Sequence, residues 1–169
     1  MALIDIRTYP DKVLGRKAAG VEQIDARLQR VIEDMFETMY AAPGIGLAAP
    51  QIGLSKRLLV IDINSRSEGK EKYPPLVLIN PEIAALEGEA ESEEGCLSLP
   101  DFTAKVNRAT RLFVKGVDRE GKPLELDATG LLAIALQHEI DHLEGTLILD
   151  KASSIKRHFY KKKLAKKSR

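Results

Sequence analysis

The chain has one cysteine, no tryptophan and only three histidines in 169 residues. A single cysteine cannot close an internal disulfide, so the stapled frameworks of small secreted domains are excluded. Cys96 is then a candidate metal ligand or nucleophile. No apolar run approaches the roughly 20 residues of a membrane span. The start, Met1-Ala2-Leu3-Ile4-Asp5-Ile6, lacks the basic-then-apolar layout of a signal peptide. These absences predict a soluble, cytoplasmic protein that does not enter a membrane, and a start at Met1 with no transit segment leans towards a bacterial source.

Acidic residues are missing from one end. None follows Asp150, whereas residues 151–169 contain nine bases: Lys151, Lys156, Arg157, Lys161, Lys162, Lys163, Lys166, Lys167 and Arg169. The near-neutral total, 26 bases against 25 acids, therefore hides a body of net charge −8 and a tail of +9. What is present in quantity is hydrophobic residues, at 44%, which suits one folded domain rather than a disordered chain. The division expected is a folded domain over 1–150 and a basic helix or tail over 151–169.

The periodicity places the elements. Leu28, Val31, Ile32, Met35, Phe36, Met39 and Tyr40 recur at helical spacing, so a helix is expected over about 26–41 with Asp25 as its cap. Pro43-Gly44-Ile45-Gly46 ends it and opens a stretch too rich in glycine and proline for a helix. Runs rich in β-branched residues at 58–63 and 76–79 read as strands, with a polar surface loop over 64–75 between them. Weaker strands are expected at 83–91, 103–107 and 111–117, and Asp118-Arg119-Glu120-Gly121 turns the chain into a hairpin. Asp127 is expected to cap a helix carrying Leu131, Ile134, Ala135, His138 and His142 on one face, with Gly145 as its stop. The fold class is α+β: short mixed or antiparallel strands around a central helix, followed by a C-terminal helix.

That central helix contains His138-Glu139-Ile140-Asp141-His142. Imidazoles at i and i+4 point the same way one turn apart, so both can hold one metal with the glutamate beside a bound water. A third ligand is needed. The metzincin pattern would put it at position 148, which is Ile, and the thermolysin pattern needs a later glutamate that does not exist. An upstream donor remains, and Cys96 offers a soft thiolate in Glu94-Gly95-Cys96-Leu97-Ser98-Leu99-Pro100, where Gly95 lets the backbone bend.

Gly44-Ile45-Gly46-Leu47-Ala48-Ala49-Pro50-Gln51, Glu94 to Pro100 and Gln137 to Gly145 together resemble the three motifs of the peptide deformylase family, in that family's order. The resemblance covers about residues 1–150 and omits the last 19. It implies hydrolysis of the N-formyl group from the formylmethionine of new polypeptides, releasing formate. Cys96, His138 and His142 would bind the metal, and Glu139 would act as general base and then acid. The Gln51 amide and the Leu97 backbone N–H would stabilise the developing oxyanion. Ile45, Leu131, Ile134 and Ala135 match the family's methionine pocket, while Ile45, Gly46 and Gly95 match positions that hold the peptide backbone. The implied cofactor is one divalent metal, Fe(II), with Ni, Co or Zn able to substitute, in a monomer. The alternatives are a generic metallopeptidase and an RNA-binding protein with a structural metal.

The tail reads as a helix over 155–166, capped by Ser153 or Ser154, with Phe159 and Leu164 as its few apolar residues. One face is expected to dock on the body while the lysines point outward. Clustered bases attract phosphate, so the expected partner is the RNA of the ribosome from which the substrate emerges. The tail is expected to be dispensable for the chemistry itself.

Overall fold

In the computed structural model, which describes residues 2–66 and 73–167, helix α1 (Ala26–Ala41) starts where expected. The Asp25 side chain accepts from the Leu28 N–H at 2.9 Å, satisfying one of the helix's orphan donors. Its buried face is Leu28, Ile32, Met35, Thr38 and Met39, whereas Tyr40 is half exposed. The glycine- and proline-rich stretch after it forms a short strand, β1 (Gly46–Ala48), and then a 3-10 turn over Ala49–Ile52 that ends on Gly53 at φ +86°.

Strands β2 (Leu58–Ile61) and β3 (Leu76–Glu87) follow, and both outlines differ from the sequence reading. The strand begun at Leu76 runs on to Glu87, and the one expected over 83–91 is divided between β3 and β4 (Ala90–Cys96). Gly88 makes that division at φ +71°, where an added Cβ would collide with the Thr110 hydroxyl. Of the loop expected over 64–75, residues 67–72 lie outside the described residues.

Strand β5 (Leu99–Arg108) buries Phe102, Ala104, Val106 and Arg108 alternately and pairs with β4 as a separate two-stranded sheet. Strands β6 (Arg111–Val117) and β7 (Pro123–Thr129) complete a five-stranded antiparallel sheet in the order β1-β2-β3-β6-β7. The expected hairpin turn joins them: the Asp118 carboxylate accepts from the Glu120 and Lys122 N–H groups, and Gly121 takes φ +82°.

Helix α2 (Gly130–Leu143) is capped differently from the expectation. Thr129 occupies the cap position, and Asp127 is a residue of β7 whose carboxylate faces Arg111 on β6. An aspartate before a helical pattern is a cap only if no strand claims it, and here the β6 pairing does. Leu132, Ala133, Leu136, Ile140 and Leu143 of α2 pack with Leu59, Ile61, Leu78, Leu112 and Val114 of the large sheet. At the far end Gly145, at φ +78°, lies where a Cβ would come 2.8 Å from the Gly15 carbonyl oxygen.

After a single turn, α3 (Ile148–Lys151), the chain forms α4 (Ser154–Lys167). Ser153 Oγ accepts from the Lys156 N–H at 3.2 Å. The docked side chain is Tyr160, and Leu164 joins it part-buried, but Phe159 is 63% exposed. Residues 160 and 164 share a face one turn apart, and 159 is turned about 100° away from it. No helix among the described residues is long and apolar enough to cross a membrane.

Candidate metal centre

Two elements meet to make the centre. Helix α2 presents His138 and His142 one turn apart, with ring centroids 5.1 Å from each other. The end of β4 supplies Cys96, where the register slips after Gly95 so that Cys96 pairs with Leu99. Its Sγ lies 3.4 Å from His142 Nε2, and one ligand atom from each of the three residues falls within 4.8 Å of the others.

Around these donors the charges are arranged in a relay. Arg108 places Nε 2.8 Å and Nη2 2.7 Å from the two oxygens of Glu94, and its Nη1 reaches Asp141 at 2.6 Å. Glu94 Oε1 in turn meets His138 Nδ1 at 2.9 Å, which leaves Nε2 of that ring facing Cys96 and Glu139. A carboxylate behind an imidazole sets its tautomer and orientation, the arrangement usual for metal-binding histidines. Burial pushes Glu94 upwards, but the Arg108 and His138 hydrogen bonds outweigh it and hold the carboxyl at about 2.

Glu139 is less well matched, with His138 Nε2 4.0 Å from its Oε1. Its Oε2 is buried without a hydrogen bond among the described residues, and burial raises the carboxyl to about 7, within range of proton exchange at neutral pH. It sits against β1 so closely that a Cβ on Gly46 would come 2.8 Å from Oε1, so Gly46 is where backbone passes over the carboxylate. Gln51 is oriented by the backbone three residues before it. Its Oε1 accepts from the Ala48 N–H at 3.0 Å, which turns its NH2 group towards Ser98 Oγ at 3.1 Å and Cys96 Sγ at 3.7 Å.

The centre borders a cleft of about 600 Å³. Every substrate-binding residue expected from sequence (Ile45, Gly46, Gly95, Leu131, Ile134 and Ala135) lines it, as do Leu97, Gln51, Cys96, His138 and Glu139. His142 lies beneath, 1% exposed. Sequence reasoning overlooked Glu94, Arg108 and Ser98. The available signal was Arg108 itself, a charged residue at an inward position of the alternation Phe102, Ala104, Val106.

The donor set fits a divalent transition metal. A thiol and two imidazoles converge, and Cys96, Glu94 and Glu139 favour positive charge at His138, pushing the imidazole up to about 10 although burial alone would lower it. His142, by contrast, is held well below its usual value by burial and by His138, in the neutral form that ligation requires. Three protein donors, a buried carboxylate with a free oxygen and an apolar-walled cleft define a metal-dependent hydrolase.

Comparison with known proteins narrows the class. The chain matches the family model of polypeptide deformylase over residues 3–158 and belongs to that family. A peptide deformylase of Thermodesulfovibrio yellowstonii is 54% identical over 167 residues, 99% of each chain, and one of Syntrophobacter fumaroxidans is 52% identical, covering 99% of this chain and 96% of that one. The crystal structure of a Legionella pneumophila peptide deformylase superposes with TM-score 0.90 at 50% identity over 99% of this chain and 96% of that one. The Ehrlichia chaffeensis peptide deformylase in complex with actinonin does so with TM-score 0.93 at 41% identity, over 100% of this chain and 99% of that one. The similarity thus continues past residue 150, where the motifs read from sequence ended, and into α4.

Proposed function

We propose that the chain, acting as a monomer in the cytoplasm, hydrolyses the formyl group from the N-terminal formylmethionine of newly made polypeptides and releases formate. The observation that carries this reading is the buried Glu139 carboxylate, whose Oε2 has no hydrogen bond among the described residues, beside the Cys96, His138 and His142 donors and at the base of a cleft with an apolar wall. Family membership supports it.

Cys96, His138 and His142 would hold the metal, assigned as Fe(II) with Ni, Co or Zn as substitutes. When bound, the metal supplies Lewis-acid polarisation of the formyl oxygen and acidifies a water. Glu139, buried and near neutrality, would take a proton from the water that attacks the formyl carbon. As the C–N bond breaks, the same carboxyl returns that proton to the departing amine, leaving formate and a free methionine N-terminus. Attack places negative charge on the formyl oxygen, and the Gln51 NH2 group and the Leu97 backbone N–H are the donors assigned to it. The pre-set orientation of Gln51 means that little reorganisation is needed at that moment. Ile45, Leu131, Ile134 and Ala135 form the apolar surface for the methionine side chain. Gly46 and Gly95, both lining the cleft, are the positions assigned to hold the peptide backbone.

The test is formate release from formyl-Met-Ala-Ser, with Met-Ala-Ser left intact. Glu139→Gln should lower the rate by about 10²–10⁴-fold while bound metal is unchanged, the scale of a lost general base. Peptide-bond cleavage without formate would overturn the reading in favour of a metallopeptidase.

The body over 1–150 then carries the chemistry, and the outward lysines of 151–169 are the contact to ribosomal RNA phosphate. Reversing charge at Lys162, Lys163 and Lys166 should weaken salt-sensitive co-sedimentation with ribosomes. Unchanged binding would remove that partner.

A further inference from the structure

Helix α4 touches the wall of the cleft from behind. Pro100, Asp101 and Phe102 line the cleft on the side that β1 and α2 do not supply, and each of them meets α4. The Tyr160 hydroxyl donates to the Pro100 carbonyl at 3.0 Å, and its ring lies 4.8 Å from that of Phe102. Lys156 Nζ stands 5.6 Å over the Phe102 ring, and Lys167 Nζ is 3.6 Å from an Asp101 oxygen.

Between these contacts the backbone takes an unfavourable form. Asp101 has φ +60°, a left-handed conformation that is uncommon outside glycine and that Asp, with its short polar side chain, adopts as a single residue where its surroundings hold it. The two lysine contacts are exposed and weak by nature. Tyr160 differs: it is buried at 6% exposure, packs with Leu99, Ala104, Leu147 and Leu149, and holds the carbonyl immediately before Asp101.

We propose that Tyr160 is a positioning residue for substrate binding: through its hydroxyl, α4 sets the Pro100–Phe102 bend against which the bound peptide rests. The inference rests on the deformylase reading and refines it, because part of the peptide site is then held by the segment that also carries the basic surface. No hydrogen bond or ring contact among the described residues joins Tyr160 to Glu139, His138 or His142, and Cys96 borders its cluster without a hydrogen bond to it, so the hydroxyl's effect falls on KM and not on kcat.

The experiment compares metal-loaded parent, Tyr160→Phe and Tyr160→Leu on formyl-Met-Ala-Ser, with melting temperature and bound metal measured on each. Tyr160→Phe keeps the ring and removes one neutral hydrogen bond, so KM should rise about two- to tenfold with kcat and metal content unchanged. Tyr160→Leu should raise KM at least as far. Phe159→Ala, on the exposed side of the same helix, should match the parent. An unchanged KM in the variants that fold overturns the proposal. So does a fall in kcat that tracks metal loss, which would mean that the helix only supports the fold around Cys96. No formate from the parent itself would refute the deformylase reading, and this inference with it.

Discussion

Two arginines three positions apart in sequence form nearly the same contact in opposite surroundings. Arg108 forks onto Glu94 at 2.7 and 2.8 Å, with side chains 3% and 7% exposed, and continues to Asp141. Arg111 forks onto Asp127 at 2.7 and 2.9 Å, with side chains 43% and 48% exposed. Geometry alone would rank them equal. Water separates them, because solvent screens and replaces the outer pair, whereas the inner pair has only each other, Asp141 and His138. The difference teaches where the centre gets its rigidity: a desolvated cation anchors the carboxylate that orients His138.

Breaking the inner pair should give the largest effect. Arg108→Met leaves Glu94 buried without its main partner, and losing one member of such a pair costs about 3–5 kcal/mol. Chemical denaturation would register that loss, and formate release should fall with it because His138 loses its fixed orientation. Parent-like stability would mean that the relay is ornamental.

Acid should sharpen the same contrast. Glu94 titrates at about 2 in the folded protein against 4.5 for a free carboxyl, so its contribution is fully present above about pH 4.5 and is lost as pH falls towards 2. The shift corresponds to roughly 3 kcal/mol. Metal-free parent should therefore lose stability through that window, and Arg108→Met should show a much flatter dependence there. Equal slopes for the two proteins would contradict the assignment. Arg111→Ala should have the smallest effect, leaving melting temperature and KM at parental values. A clear destabilisation would show that the outer pair matters to the β6–β7 hairpin after all.

Much of the centre was legible because its chemistry is local. His138, Glu139 and His142 need only a helix to face one way, and helical spacing is written in neighbouring residues. Cys96 could be reached because the histidine pair lacked a third donor and the later sequence offered none. The elements that were misplaced are those decided by distant partners. Asp127 has the character of a cap, yet pairing with Arg111 makes it a strand residue. Phe159 is the more apolar choice for a docking face, but the turn set by Ser153 and Ile148–Lys151 aims Tyr160 inward instead.

The amino-acid sequence by itself therefore determined which donors exist, the i, i+4 spacing of the two histidines and the opposed charges of body and tail. The tertiary structure decided the rest. It brought Cys96 across 46 positions to His142, selected Arg108 over Arg111 as the buried cation and set α4 against the cleft wall. The physical reason is range. Helical phase and net charge are sums over neighbours, but strand register and burial depend on which remote segments exclude water from one another, and that is settled only when the chain is packed.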